Sequence, residues 1–171
     1  MYDNPLSSNS LDSSLPRCSV IPIIQDSLEL KGADLSNPIK FDENSSVKFI
    51  PDSATFIDSN AAMTELEPIA EYLKSNPDIT VLIIGTTATS GSEEYKTDLS
   101  YRRANACKDA LINLGVNTSN IQIVGIGSSS CSLHANDLNA DGSLNEKIAP
   151  LNRAVYIVNV SSSTAAEVLS L

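Results

Sequence analysis

Val81-Leu82-Ile83-Ile84-Gly85 runs into Thr86-Thr87-Ala88-Thr89-Ser90-Gly91-Ser92-Glu93-Glu94, and that into a segment carrying Leu99-Ser100-Tyr101-Arg102-Arg103-Ala104. The first run shows no polar alternation, which marks a strand buried on both faces. The second is a polar, glycine-containing loop. In the third, Ala104, Cys107, Leu111 and Leu114 recur at helical spacing as a core face, and Gly115 supplies the glycine that ends a helix. Cys107, on that face, reads as a small core hydrophobe rather than a reactive thiol. A buried strand, a loop and a helix with paired arginines form a unit that the rest of the chain supports.

Upstream, Asp58-Ser59-Asn60 is a cluster of N-cap residues, and Met63, Leu66, Ile69, Ala70 and Leu73 follow as the stripe of an amphipathic helix. Pro68 either kinks this helix or marks N1 of its well-formed part, and Asn76-Pro77-Asp78 stops it. Val47, Phe49, Ala54 and Phe56 predict a first strand interrupted at Pro51-Asp52. Downstream, Ile121–Val124 is a third strand closed by Gly125-Ile126-Gly127. Residues 128–150 are a long insertion. Residues 154–160 are a last strand, entering antiparallel.

Residues 1–15 are rich in Ser, Asn, Asp and Pro and read as linker. Ser19-Val20-Ile21-Pro22-Ile23-Ile24 reads as an edge strand or an isolated extended piece, because Pro22 cannot donate to a ladder. Residues 31–44 read as loop. The expected organisation is therefore an N-terminal linker or extended segment over 1–45, one domain over 46–160, and a tail over 161–171 whose role stays open. The expected fold class is α+β, an α/β sandwich of order β-α-β-α-β-β. Two helices pack on one face of a four-stranded mixed sheet, with Val81–Ile84 between Val47–Phe49 and Ile121–Val124.

The 171 residues are 42% hydrophobic, enough for one globular domain, and the formal net charge is -10. Such acidity argues against nucleic acid, whose phosphates need clustered Lys and Arg, and against anionic membrane surfaces. No apolar run approaches the ~20 residues of a membrane-spanning helix. Met1-Tyr2-Asp3-Asn4-Pro5 lacks the basic and apolar regions of a signal peptide. Leu15-Pro16-Arg17-Cys18 is a poor lipidation signal, since Arg17 stands where a small residue is expected. Three cysteines, Cys18, Cys107 and Cys131, cannot pair fully within one chain, and Cys131 with His134 lacks the second pair of a zinc site. The Gly125-Ile126-Gly127 pair lacks the third glycine and the helix of a dinucleotide-binding turn. No Gly-x-Ser-x-Gly elbow is present and His134 is the only histidine, so the chain does not read as an enzyme.

From Gly85 to Ala104 the chain resembles the peptidoglycan-binding OmpA/MotB C-terminal domain family. That family shows a strand, Gly-His/Tyr-Thr-Asp, a glycine three residues on, an asparagine, then Leu-Ser-x-x-Arg-Ala. Gly85, Thr87, Gly91, Leu99, Ser100, Arg103 and Ala104 match it. Phe49-Ile50-Pro51-Asp52-Ser53-Ala54 is similar to the family's opening strand, Gly125-Ile126-Gly127 to its Gly-x-Gly, and Asn152-Arg153-Ala154-Val155 to its Asn-Arg-Arg-Val.

The resemblance implies binding of the free end of diaminopimelate in a peptidoglycan peptide stem. An arginine fork takes the carboxylate and an aspartate takes the ammonium. The arginine role falls on Arg103, the aspartate role on Ala88, and the family's asparagine on Lys96. The implied binding set is Arg103, Thr87, Ala88, Gly91, Lys96, Asn152 and Arg153. With Ala88 in place, either another ligand is bound or binding is lost. Glu93 or Glu94 would be the replacement anion; otherwise they form a solvated pair. Arg103 either meets the ligand or ties its helix to Asp58 or the loop.

The resemblance further implies an extracytoplasmic location in the cell envelope, through a signal or anchor outside this sequence. It implies a tethering role, or alternatively a scaffold that binds envelope proteins. No cofactor is required by this reading. Asp137-Leu138-Asn139-Ala140-Asp141-Gly142 matches the opening of an EF-hand loop, so Asp137, Asn139 and Asp141 are candidate calcium ligands. Position 12, however, is Ile148 where an acid is expected, and a turn-rich polar insertion is the other reading.

Overall fold

Every residue of strand β2 (Val81–Gly85) is buried, as its unbroken apolar sequence requires. The structure, a computed structural model, describes residues 35–171. The predicted extended piece at residues 19–24 and Cys18 lie outside them. The elements in order are β1 (Ile39–Phe41), α1 (Ser59–Ser75), β2, α2 (Glu93–Asn113), β3 (Ile121–Gly125), the short α3 (Ala149–Asn152), β4 (Val155–Asn159) and α4 (Ser163–Leu169).

The strands form one mixed sheet in the order β1-β4-β2-β3. β2 and β3 are parallel, with Val81 opposite Ile121 and Gly85 opposite Gly125. β4 enters antiparallel, as expected, between β2 and β1. The neighbours of β2 are therefore β3 and β4, and the expected partner Val47–Phe49 is not in the sheet. The first strand is Ile39–Phe41, inside the segment read as loop, so the ordered domain begins before residue 46. Residues 49–56 instead fold back on themselves. Phe49 bridges Phe56, their rings stack at 4.9 Å, and Ile50 N donates to Thr55 O at 2.9 Å. The alternation of Val47, Phe49 and Phe56 is that of a small hairpin, not of a sheet strand.

Helices α1 and α2 share one face of the sheet, as the sequence predicts. Leu66, Ile69, Ala70 and Leu73 of α1 and Ala104, Cys107 and Leu111 of α2 pack on Val81, Ile83, Ile121, Val155 and Ile157. Burial pushes the Cys107 thiol up, which keeps it unreactive. Asp58 caps α1 by accepting from Ala61 N at 3.0 Å, and the helix continues through Pro68. Of the two readings of that proline, the later start at residue 67 is excluded. The opposite face is covered as well. Ala165 and Val168 of α4, capped by Ser162, pack with Leu82, Ile84 and Val158, so the segment read as tail completes the second core layer.

Glycines let α2 lie unusually close to the sheet. A Cβ on Gly85 would fall 1.9 Å from the Ser100 carbonyl oxygen, and one on Gly125 would fall 2.3 Å from Tyr101 N. Both clashes are with backbone, which cannot rotate aside. Gly85→Ala is therefore expected to cost about 3 kcal/mol or more in urea unfolding, the upper end of overpacking penalties. An unchanged midpoint would mean that helix and sheet stand farther apart.

Candidate functional site

The loop after β2, one face of α2, the Phe49–Phe56 hairpin and the residues before β4 enclose a cleft of about 420 Å³. Its walls include Glu43, Lys48, Phe49, Pro51, Asp52, Thr87, Ala88, Gly91, Tyr95, Lys96, Arg103 and Arg153. The arrangement follows from the helix-to-sheet contact. Ser92 caps α2 by accepting from Tyr95 N, and Glu93 and Glu94 suit the positive end of the helix dipole. Lys96, Ser100 and Arg103 then fall on the buried face of α2.

Arg103 is only 6% exposed. Its Nε donates to Ser53 O at 2.9 Å and its Nη2 lies 3.5 Å from Ile50 O. The guanidinium sits over the Phe49 ring, 5.2 Å from its centre. Among the described residues it forms no ion pair, and its Nη1 has no hydrogen-bond partner. Burial lowers its pKa from the ordinary arginine value, while Tyr95 and Asp52 oppose that shift. Of the two roles foreseen for Arg103, the tie is to the hairpin carbonyls and not to Asp58, and one edge of the fork remains for a ligand.

Ala88, on which the resemblance places the family's aspartate role, lines the same cleft and offers no charge. Lys96 does line the cleft, but its ammonium is turned aside. It meets Glu93 Oε1 at 2.5 Å and Ser128 Oγ at 2.7 Å. Glu93 is thereby committed to Lys96, and Glu94 borders a separate shallow groove with Tyr101 and Ile123. The expected replacement anions are thus not in the cleft. The acids that are there are Glu43, paired with Arg153, and Asp52, whose Oδ1 accepts from the Tyr95 hydroxyl at 3.0 Å. Sequence reading missed Asp52, because Pro51-Asp52 reads only as a strand interruption. Its φ of 56° is a conformation that Asp tolerates better than most residues, so a turn presenting a carboxylate was the available signal.

Asn152 and Arg153 separate in role. Asn152 is 1% exposed and braces the loop from beneath. It exchanges hydrogen bonds with the Ala135 backbone and donates to Asp137 Oδ2 at 2.9 Å. Arg153 reaches the cleft rim, paired with Glu43 at 3.2 Å and Glu146 at 3.9 Å. Thr87 donates its backbone N–H to Gly127 O, and His134 Nε2 contacts Thr87 O at 3.0 Å. Gly91 has φ of 95°, the left-handed turn that brings the loop into α2.

The three calcium candidates do not converge. The Asp137 carboxylate is fully buried and faces the loop, accepting from Thr89 N at 3.0 Å and from Asn152. Asp141 Oδ1 accepts from Ser143 N and Oγ, and Asn139 Nδ2 donates to Ser143 Oγ. The motif closes a hairpin in which Leu138 bridges Leu144, and among the described residues no three His, Cys, Asp or Glu side chains are grouped to hold a metal ion.

A sequence profile of the OmpA family matches residues 48–144, more than half of the chain. The chain belongs to the OmpA family. It is similar to the peptidoglycan-binding protein ArfA of Mycobacterium tuberculosis, 35% identical over 96 residues, which cover 56% of this chain and 29% of that protein. It is also similar to outer membrane porin F of Pseudomonas aeruginosa, 33% identical over 84 residues, covering 48% of this chain and 23% of that protein. The chain thus spans about a quarter of the length of these relatives. The crystal structure of the peptidoglycan-associated lipoprotein from Burkholderia pseudomallei superposes with a TM-score of 0.54 at 30% identity, over 66% of this chain and 86% of that one.

Two outcomes test the loop brace. Burial pushes the Asp137 carboxyl up, but hydrogen bonds from Thr89 and Asn152, aided by nearby His134, hold it below its ordinary 3.8. A depressed folded value stabilises the fold above the unfolded pKa, and that contribution is lost as pH falls through the folded one. Asp137→Ala is expected to cost ~1–3 kcal/mol at neutral pH. Its deficit against the unmodified chain should shrink below pH 3.8, measured by urea unfolding. Calcium is expected to leave Tm unchanged; a rise abolished by Asp141→Ala would restore the EF-hand reading.

Proposed function

We propose that this domain is a non-catalytic, extracytoplasmic module that associates with peptidoglycan through the Arg103 cleft and tethers a larger envelope protein to the cell wall. The observation that carries the reading is the state of Arg103. It is buried and held by two carbonyls and a ring, it lacks an ionic partner among the described residues, and one edge of its fork remains free. A buried guanidinium gains most from a planar anion that completes it, and a peptide-stem carboxylate is such an anion. Membership of the OmpA family and the names of its relatives, one peptidoglycan-binding and one peptidoglycan-associated, support the same ligand. Among the described residues no helix is long and apolar enough to cross a membrane.

A second reading rests on Ala88: the cleft has lost one half of the family's clamp and the domain serves protein assembly instead. Cosedimentation with purified diaminopimelate-containing cell wall separates the two. The unmodified domain is expected to pellet with the wall. Arg103→Lys, which keeps the charge and loses the fork, is expected to bind roughly tenfold to a hundredfold more weakly. Absence of cosedimentation by the unmodified domain would leave the assembly reading.

A further inference from the structure

Of the two acids that line the cleft, Glu43 is paired with Arg153, and Asp52 is paired with no cation among the described residues. Asp52 sits at the tip of the Phe49–Phe56 hairpin in a left-handed conformation, and the Tyr95 hydroxyl occupies only its Oδ1. No cation pairs with it among the described residues, although Arg103 faces the same space and lies within its electrostatic reach. The separation is built in. Arg103 Nε is spent on Ser53 O and its Nη2 points at Ile50 O, both backbone carbonyls of the hairpin that carries Asp52. A carboxylate and a guanidinium are therefore fixed on one frame, facing one cleft, without neutralising each other. Arg103 is buried while Asp52 is exposed, so the pair suits a group bearing both charges on neighbouring atoms: its anion completes the desolvated guanidinium and its cation meets the exposed carboxylate.

We infer that Asp52, oriented by Tyr95, binds the ammonium of a zwitterionic α-amino-acid terminus whose carboxylate lies on Arg103. Its carboxylate takes the place of the one absent at Ala88. This rests on the cleft being the peptidoglycan site. The alternatives within reach are already engaged: Glu93 pairs with Lys96 and Glu43 with Arg153. The chemistry selects the free end of diaminopimelate. It disfavours a stem ending its side chain in lysine, which has the ammonium without the carboxylate. It also disfavours amidated diaminopimelate, which removes the negative charge that Arg103 needs.

Calorimetric titration of muramyl tripeptides carrying diaminopimelate, amidated diaminopimelate or lysine tests the assignment. The unmodified domain is expected to prefer the free diaminopimelate form by roughly tenfold or more over the other two. Asp52→Asn suits the same backbone conformation and keeps an acceptor for Tyr95, so the hairpin should persist, with an unchanged Tm as the check. It is expected to lose roughly tenfold to a hundredfold in affinity for the diaminopimelate form. Adding Ala88→Asp to Asp52→Asn should recover binding by restoring a carboxylate at the family position. Equal affinity of Asp52→Asn and the unmodified domain would overturn the assignment while leaving peptidoglycan association intact. No binding by the unmodified domain, by Ala88→Asp or to whole cell wall would overturn the site itself and the assignment with it.

Discussion

Helix α2 touches the sheet backbone to backbone, and the rest of the site depends on that contact. Gly85 and Gly125 sit opposite each other in β2 and β3, and the Ser100 and Tyr101 backbone fills the space a Cβ would occupy on either. The Ser100 hydroxyl fastens the contact, accepting from Gly127 N at 3.0 Å while donating to Thr97 O at 2.9 Å. Pinning α2 at Ser100 fixes its neighbours one turn away on either side. Lys96 is drawn beneath the loop after β3, and Arg103 is pressed against the hairpin. A larger residue at either glycine would lift the helix and move both cations, so the glycines govern the site without touching any ligand.

Three buried charges follow from this packing, and their partners decide what each can do. Lys96 has a counter-charge in Glu93 and is complete. Asp137 has hydrogen-bond donors on one oxygen, while its Oδ1 has no partner among the described residues; its energy goes into holding the 86–92 loop. Arg103 has carbonyls and a ring face but no anion. Removing an ion from water without a counter-ion costs several kcal/mol, and a ligand carboxylate arriving at Arg103 returns part of that cost. Lys96, whose ammonium pairs with Glu93 and Ser128, turns its charge away from the cleft and at the same time removes Glu93 as a substitute acid.

Where the sequence was legible, a periodic signal outweighed local noise. The stripe from Met63 to Leu73, the core face from Ala104 to Leu114 and the apolar runs of β2, β3 and β4 all became the predicted elements. β1 escaped because Ile39-Lys40-Phe41 is too short to show a period and follows Asn37-Pro38, a turn signal. Its strand character comes from pairing with β4, distant in sequence. Helix α4 left a fainter trace, Ser162 three residues before Ala165, which a capping argument could have used. The candidate calcium ligands fall in a turn-rich segment, the setting of both readings made from the sequence. The inward aim of the Asp137 carboxylate depends on Thr89 and Asn152, which are remote in sequence from it. Asp52 was the costliest omission, since the residue that breaks a strand and the residue that presents an acid are the same.

Arg103 and Asp52, which line the same cleft, are mechanically one unit. In the family pattern the acid sits on the loop after β2 and the arginine on the following helix, so their spacing is set by how loop and helix meet. In this chain the acid sits on the hairpin, and the hairpin is held by the arginine itself through Ser53 and Ile50. Arg103 therefore positions the hairpin that carries Asp52. Asp137, by bracing Thr89, holds Ala88 in the cleft wall as an inert neighbour rather than a free surface. If the proposed site binds as inferred, affinity responds to hairpin geometry, including the Phe49–Phe56 stack and the Tyr95 hydroxyl, more than to the loop motif. A motif search centred on the loop would class this cleft as lacking an acid, although Asp52 lines it from the hairpin.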